Sequence, residues 1–511
     1  EYIMAILSDS VIFDIFAIII TLLIGVYTYF QWVFKYWERK GIPYVTPKFP
    51  FGTIKMFANP PLNFGEMCKQ HYDEYKAKGY KHVGIYLFSR PMYLVLDADY
   101  IRSITAKDFD HFVDRGVYFN EKTDPLSGNL FAIEGTKWRN LRTKLTPAFT
   151  SGKMKMMFQI LVECGSQMKD ALDVMSSKNC PIDIKDVLAR FTMNVIGSCA
   201  FGLDCNCFTD PNSQFRKYGK RVFDLTKLET FKLFIAFAAP SLARRVGVNG
   251  TPEEVSEFFL NIIEEAVKYR EENNVTRKDF LQLLIEMKNN VKNENGKGIG
   301  LTINELAAQV FVFFAAGYET SSTTMTFCLF ELTQNLDMQK KVRDEINEVL
   351  KKHNGEITYD SLMEMKYMGQ VIDETLRKYP PVTFLNRKCI KDYKLPDSDI
   401  EISNGTLVVI PVLGLHRDPE YYPDPETFNP ERFSEDNKSS IKPYTYLPFG
   451  EGPRTCIGLR FGIMQTKMGL TILLKNYKFT LNEKTKVPLR MDPLAFVYTV
   501  EGDIWLNVET I

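Results

Sequence analysis

Ten residues near the C-terminus, Phe449 to Gly458, constrain this chain more than any other stretch, because they set three glycines and a proline around a single cysteine. Gly450, Gly452 and Gly458 allow backbone conformations and a close approach that a Cβ would obstruct. Pro453 stiffens the turn between them. The apolar, helix-period segment Leu459 to Leu474 that follows puts Cys456 just before a helix N-terminus, where partial positive charge and free N–H groups favour a thiolate. Such a loop is built to hold one thiolate beneath a flat metal macrocycle, which makes Cys456 a candidate axial ligand of a haem. Arg454 supplies a forked cation suited to a haem propionate. Two other readings stay open on this segment alone. Gly450-Glu451-Gly452 resembles the opening of a dinucleotide fingerprint, although the third glycine is missing and Pro453 interrupts the helix start. Cys456 can also be an ordinary buried thiol.

The other candidate metal ligands do not compete. Cys68, Cys164, Cys180, Cys199, Cys205, Cys207, Cys328 and Cys389 show no paired CxxC spacing, and the total of nine is odd. Neither a zinc site nor a disulfide framework follows from them. His71, His82, His111, His353 and His416 are scattered, with no HExxH and no pair on one helical turn. Equal counts of 63 basic and 63 acidic residues offer no general field for nucleic acid.

Val11 to Phe34 is apolar apart from Asp14 and a few neutral polar side chains, long enough at ~1.5 Å per residue to cross a bilayer core. It lacks the shorter apolar region and small-residue cleavage site of a secretory signal. Lys35, Arg39 and Lys40 follow it while Glu1 and Asp9 precede it, so the positive-inside rule leaves the bulk of the chain in the cytoplasm. The start at Glu1 rather than Met reads as a processed or engineered terminus. Pro43, Pro47 and Pro50 favour an extended connector. The expected organisation is a membrane anchor over 1–40, a proline-rich linker over 41–50 and one large catalytic domain over 51–511.

That domain reads as mostly helical. Val83 to Asp97 predicts two short strands around Ser89-Arg90-Pro91, and Glu401 to Val409 predicts a hairpin turning at Asn404-Gly405. The last strands are expected within Ala495 to Val508. Helices are expected to start at Thr251-Pro252-Glu253-Glu254 and at Thr276 to Asp279.

Leu301 to Asn335 is the longest helical pattern, opened by the capping box Thr302-Ile303-Asn304-Glu305. Inside it, Ala316-Gly317-Tyr318-Glu319-Thr320 breaks an apolar run with small residues, an acid and a hydroxyl. Ala316 and Thr320 share a face, so a flat cofactor or dioxygen can approach there. Thr320 is then placed to donate to bound oxygen, with Glu319 feeding protons; alternatively, Thr320 only bonds back to a carbonyl. Glu374 and Arg377 can pair on another helix that ends at Pro380-Pro381. With Arg432 of Pro430-Glu431-Arg432-Phe433, they are candidates for a buried network locking the loops that lead to Cys456. Trp138 and Arg142, four apart, offer an N–H and a guanidinium to one carboxylate. Lys137, Arg139 and Lys144 form a candidate basic docking patch, or simply a solvated face.

Taken together these motifs resemble the cytochrome P450 family, in particular its microsomal, insect-type haem-thiolate monooxygenases that handle foreign compounds. The resemblance covers essentially the whole chain, with the motifs in the family's order. It implies a mainly α-helical prism with a small β-rich lobe, an N-terminal transmembrane helix, and iron protoporphyrin IX (haem b) between the long helix and the Cys456 loop. It further implies Cys456 as iron ligand and Thr320 and Glu319 in proton delivery. Trp138, Arg142, Arg387 and Arg454 match positions that hold the propionates, with Arg115 a further candidate. Ala316, Gly317, Phe449 and Gly458 then line the haem, and Glu374, Arg377 and Arg432 are structural.

By the same resemblance, electrons come from NADPH through a membrane-bound NADPH-cytochrome P450 reductase at the endoplasmic reticulum, with cytochrome b5 a conceivable second partner. Substrate contacts fall on Val117, Phe119 and Phe131 in the loop over the haem, and on Phe311, Phe314, Ala315 and Ala316 of the long helix. Val382, Phe384 and Leu385 follow the proline pair, and Leu494 and Phe496 lie in the last hairpin. These side chains favour flat or greasy molecules. The expected role is detoxification of insecticides and plant allelochemicals. A dedicated hydroxylase of a hormone or lipid is the alternative, and a non-oxygenating haem-thiolate isomerase or a haem carrier is a third reading.

Overall fold

The computed structural model describes residues 11–55, 61–178, 180–289, 300–396 and 398–511. Glu1 and Asp9, the charges expected before the anchor, lie outside the described residues.

Most of the chain is helical, as the apolar periodicity predicts, with the strands gathered into small sheets. The anchor helix, Val11–Phe34, exposes Phe13, Phe16, Leu22, Leu23 and Trp32. Apolar side chains exposed along a whole helix suit lipid rather than water. Its last turn behaves differently: Val33 and Phe34 are buried, and Trp37 just beyond is docked on the first sheet through Nε1 to Ile85 O at 3.2 Å. Gly84 leaves room for that indole, since a Cβ there would lie 2.3 Å from the ring. Residues 41–50 run along the same edge, with Gly84 N–H donating to Pro43 O at 2.8 Å and Val45 N–H to Gly84 O at 2.9 Å.

That sheet contains β1 (His82–Leu87) and β2 (Arg90–Val95), then β4 (Leu385–Lys388) and β7 (Leu407–Ile410), in the order β1-β2-β7-β4. The first pair is the predicted one. The predicted Glu401–Val409 hairpin is not formed. Instead β6 (Glu401–Ile402) pairs with β5 (Tyr393–Lys394), while β7 pairs in parallel with β2 and antiparallel with β4. The reason is burial: Leu407–Ile410 is apolar and buried at every position, the pattern of a central strand covered on both faces. Gly405, at φ +87°, only redirects the chain between them.

A second sheet joins β3 (Ile182–Asp183), β9 (Trp505–Thr510) and β8 (Tyr477–Leu481). Only the end of the predicted Ala495–Val508 segment is strand, and its partner β8 was not anticipated. The preceding residues are held by other contacts, such as Tyr498 N–H to Pro381 O at 2.9 Å and the isolated bridge between Met491 and Val500.

The long helix, Ile303–Gln334, runs through the core, capped as predicted: Glu305 N–H donates to Thr302 Oγ1 at 3.2 Å and Thr302 N–H to Glu305 Oε2 at 3.0 Å. The helix after the cysteine loop, Leu459–Asn476, crosses it, and Gln465 Nε2 donates to Gly317 O at 3.2 Å at the crossing. The Glu253–Glu272 and Phe280–Asn289 helices begin just after the predicted start signals.

Candidate active site

The cysteine loop is held by its own backbone. Gly450 N–H bonds Leu447 O at 3.0 Å, Thr455 N–H bonds Gly452 O at 2.9 Å and Cys456 N–H bonds Phe449 O at 2.8 Å. Gly450 and Gly452 have φ of +71° and +72°, and a Cβ on Gly452 would fall 1.9 Å from Thr105 O. Glycine is therefore required at 452 on both counts. Gly458 precedes the helix Leu459–Asn476 and turns its N–H to the Cys456 sulfur.

The environment of Cys456 is mixed. Burial raises the thiol pKa, outweighing the Gly458 N–H bond and the nearby Arg115 and Arg142 that pull it down. Yet the residue keeps an accessible surface. A side chain both desolvated and accessible borders enclosed space inside the protein. The long helix shows the same signature: it is buried without interruption over Leu306–Phe311 and Ser321–Thr333, but between these Ala316 is exposed and Val312, Ala315, Gly317, Glu319 and Thr320 are half-buried.

A cationic rim adjoins this space. Burial, then Arg387 and Arg454, hold the Arg115 guanidinium well below its ordinary range, with Arg142 adding to the effect. Arg387 is pushed down to about 10 by burial, and Arg454 to about 9 by burial and by Arg387. Among the described residues, Trp138 Nε1 and Arg387 Nε are buried donors without an acceptor. Crowded cations and orphaned N–H groups are costly unless an anion sits among them. A flat group carrying carboxylates on one edge and a metal for Cys456 fits the enclosed space, the rim and the sulfur, so these residues suit a haem. A coordinated metal also reverses the thiol balance, because a ligating sulfur is deprotonated outright.

Arg454 differs from the expectation. Its Nε, Nη1 and Nη2 donate to Val113 O, Leu130 O and Ile133 O at 2.9, 3.3 and 3.0 Å, so it straps the 113–133 segment while contributing charge to the rim. Arg115 bonds Phe131 O and Arg454 O, each at 3.1 Å.

On the long helix, Thr320 Oγ1 donates to Ala316 O at 2.5 Å. The Glu319 carboxyl pKa is raised by burial, partly offset by Lys185 and Lys220. The substrate candidates divide. Ala315 and Ala316 border the enclosed space, and Val117, Phe119, Val382, Phe384 and Leu385 are half-buried. Phe314 does not line it: fully buried, it packs with Phe201, Phe215 and Phe259 and stacks on Tyr318 at 5.7 Å, two residues and so about 200° from Ala316. Phe311 is nearly buried against Phe259. Val312 was missed, although the four-residue spacing that joins Ala316 to Thr320 places it on their face. Leu494 and Phe496 are exposed, on a loop that Asn63 Nδ2 holds through Ala495 O at 3.0 Å.

The structural network forms in part as expected. Arg377 meets Glu374 through Nε and Nη2 at 2.7 and 2.8 Å, both fully buried, and Asn429 N–H also bonds Glu374 Oε1 at 2.9 Å. Arg432 approaches the same oxygen at 3.4 Å. The basic patch is partly neutralised: Lys137 pairs with Glu121 at 2.8 Å and Glu305 at 3.5 Å, and Arg139 pairs with Asp110.

Comparison with known proteins matches the family described as Cytochrome P450 over residues 43–506. A Drosophila melanogaster protein named Probable cytochrome P450 6a20 is 45% identical, covering 97% of this chain and 100% of its own length. Cytochrome P450 6A1 of Musca domestica is 42% identical over 94% of this chain and 95% of its own. Cytochrome P450 6a2 of Drosophila melanogaster is 41% identical over 94% and 96%.

Proposed function

We propose that this chain, which belongs to the cytochrome P450 family and is a haem-binding monooxygenase of the insect type, oxidises apolar foreign compounds such as insecticides and plant allelochemicals. In this reading the Cys456 sulfur would hold the haem iron. The observation that carries it is the pairing of an accessible but desolvated Cys456 with a rim of crowded arginines and orphaned N–H groups. When bound, the haem supplies the iron at which dioxygen is activated for transfer of one oxygen atom to carbon.

The protein's own groups do the rest. Arg115, Arg142 and Arg387 would hold the propionates by charge, and Trp138 Nε1 would give one further donor. Ala316 keeps its face of the long helix low, leaving room for dioxygen and substrate beside Thr320, while Gly317 admits the packed side chain of Ile196. Thr320 Oγ1, which now bonds Ala316 O, would be free to donate its hydrogen toward dioxygen instead. The Glu319 carboxyl, its pKa raised by burial, would serve as the source of the protons that the reaction consumes. The aromatic and aliphatic lining from Phe119, Val312 and Leu385 excludes water and suits flat or greasy substrates.

The net reaction consumes substrate, one dioxygen, one NADPH and one proton, and gives hydroxylated product, water and NADP+. Electrons arrive from NADPH through a reductase in the same membrane, the endoplasmic reticulum, to which the helix Val11–Phe34 tethers the catalytic part on its cytoplasmic side. Reconstitution with NADPH-cytochrome P450 reductase in lipid, labelled dioxygen and a panel of insecticides, plant toxins and steroids tests the whole reading. Products carrying one labelled oxygen across the foreign compounds support it. A single strongly preferred endogenous steroid or lipid would replace detoxification by a dedicated role, and no NADPH-dependent oxygen uptake on any compound would overturn the activity.

A further inference from the structure

We propose that His416 is a positioning residue for the cysteine loop, its imidazole Nε2 holding the backbone at Leu447 against the helix that carries Glu374 and Arg377. The inference rests on Cys456 as the iron ligand. The Glu374 network faces the segment around Asn429, and Arg432 donates to Asp424 O rather than to the cysteine loop. His416 bridges that distance. Its carbonyl takes Arg377 Nη1 at 2.9 Å, and its Nε2 accepts the Leu447 N–H at 2.7 Å. From Leu447 the connection continues through its carbonyl to Gly450 N–H, and two residues on from Phe449 O to Cys456 N–H.

A second clamp acts one residue away. Tyr446 stacks on the His416 ring with centroids 5.3 Å apart, and its hydroxyl donates to Asp373 O at 2.9 Å, on the same helix as Glu374. Residues 446 and 447 are thus fixed just before Gly450, whose positive φ belongs to the region where backbone freedom is greatest.

The tautomer follows from the geometry. With Nε2 accepting, the imidazole proton sits on Nδ1, which is buried and lies by the backbone of Leu376 and Arg377 without a well-formed hydrogen bond. The Leu447 N–H requires an acceptor nitrogen at this place, which packing alone would not. Burial, and then Arg377, lower its pKa to about 3, so the acceptor lone pair persists at neutral pH.

The test uses the full chain in lipid and three variants: His416→Phe keeps a ring without an acceptor, His416→Gln restores an acceptor near Nε2, and His416→Asn is too short to reach Leu447. The red-shifted Soret band of the reduced carbon monoxide complex is followed during mild heating, beside haem content and the far-UV circular dichroism melt. The expected result is a native-like His416→Gln, whereas the Phe and Asn variants lose the band about five- to tenfold faster, the equivalent of one hydrogen bond, with unchanged initial haem content and helical melt. Loss at the native rate in the Asn variant, or equal loss in Asn and Gln, overturns the proposal. So does a helical melt lowered in step with the band. If Phe fails to fold, the Asn and Gln pair decides. Absence of the red-shifted band from the native protein would instead overturn Cys456 as ligand, and this inference with it.

Discussion

The guanidinium of Arg454 lies 3.8 Å from the centre of the Trp138 ring, while the indole Nε1 of that same ring is buried with no acceptor among the described residues. One face of the tryptophan is satisfied by a cation and its edge is left open. The pair thus joins the strap on the 113–133 segment to the rim where carboxylates are expected. Arg454 supports the ring, and the ring offers the donor.

Trp138→Phe keeps the face that Arg454 covers and removes the open N–H. Loss of one hydrogen bond to a charged group, worth ~1.5–3 kcal/mol, predicts haem release faster by roughly tenfold or more. Haem transfer to an excess of another apo-haem protein measures it, and an unchanged rate would remove Trp138 from propionate binding.

Cys456→Ser exchanges a soft thiolate for a poor ligand. The red-shifted Soret band of the reduced carbon monoxide complex should disappear, and monooxygenase turnover with it. Persistence of the band would assign the iron to another residue.

Thr320→Ala leaves Ala316 O without its side-chain donor and takes the hydroxyl out of the helix window. Product formed per NADPH should fall and hydrogen peroxide rise, while Thr320→Ser stays near native. Equal coupling in all three proteins would leave Thr320 only the carbonyl bond seen at Ala316.

Glu374→Gln breaks a fully buried pair and leaves Arg377 partly uncompensated. Breaking such pairs costs about 3–5 kcal/mol, read as a lower urea midpoint in equilibrium unfolding. A midpoint within error of native would demote the pair.

Glu319 gives a pH signature. Its folded pKa is raised above the ordinary 4.5, so the folded state binds its proton more tightly than the unfolded chain does. Its contribution to stability is therefore intact below pH 4.5 and lost as pH rises through the folded value. Glu319→Gln should unfold at higher urea than native at neutral pH, with the gap closing near the ordinary carboxyl range. A gap of the same size at both pH values would place the effect in packing rather than titration.

Legibility in the sequence followed the range of the interaction. The capping box at Thr302 and Glu305 and the β1–β2 turn depend on neighbours in the chain and could be read from it, whereas glycine at 452 is demanded also by Thr105 O, far off in sequence. Phe314 departs from expectation because its residue type says apolar but not which side of a buried helix is hollow. Val312 is unreadable from its residue type for the same reason. The Glu401–Val409 hairpin failed because Asn404-Gly405 is a local turn signal, whereas the partners of Leu407–Ile410 lie at β2 and β4, far off in sequence.

The sequence by itself determined the chemistry on offer at Cys456 and the helix periodicity around it, because backbone freedom, helix capping and an unpaired thiol are properties of short segments. Only the tertiary structure decided how those pieces serve a site. It revealed the enclosed space beside Ala316, turned Arg454 into a strap, crowded Arg115 against Arg387 and set His416 beneath Leu447. The physical reason is that desolvation, like-charge crowding and unsatisfied donors arise only when residues hundreds of positions apart are packed together away from water.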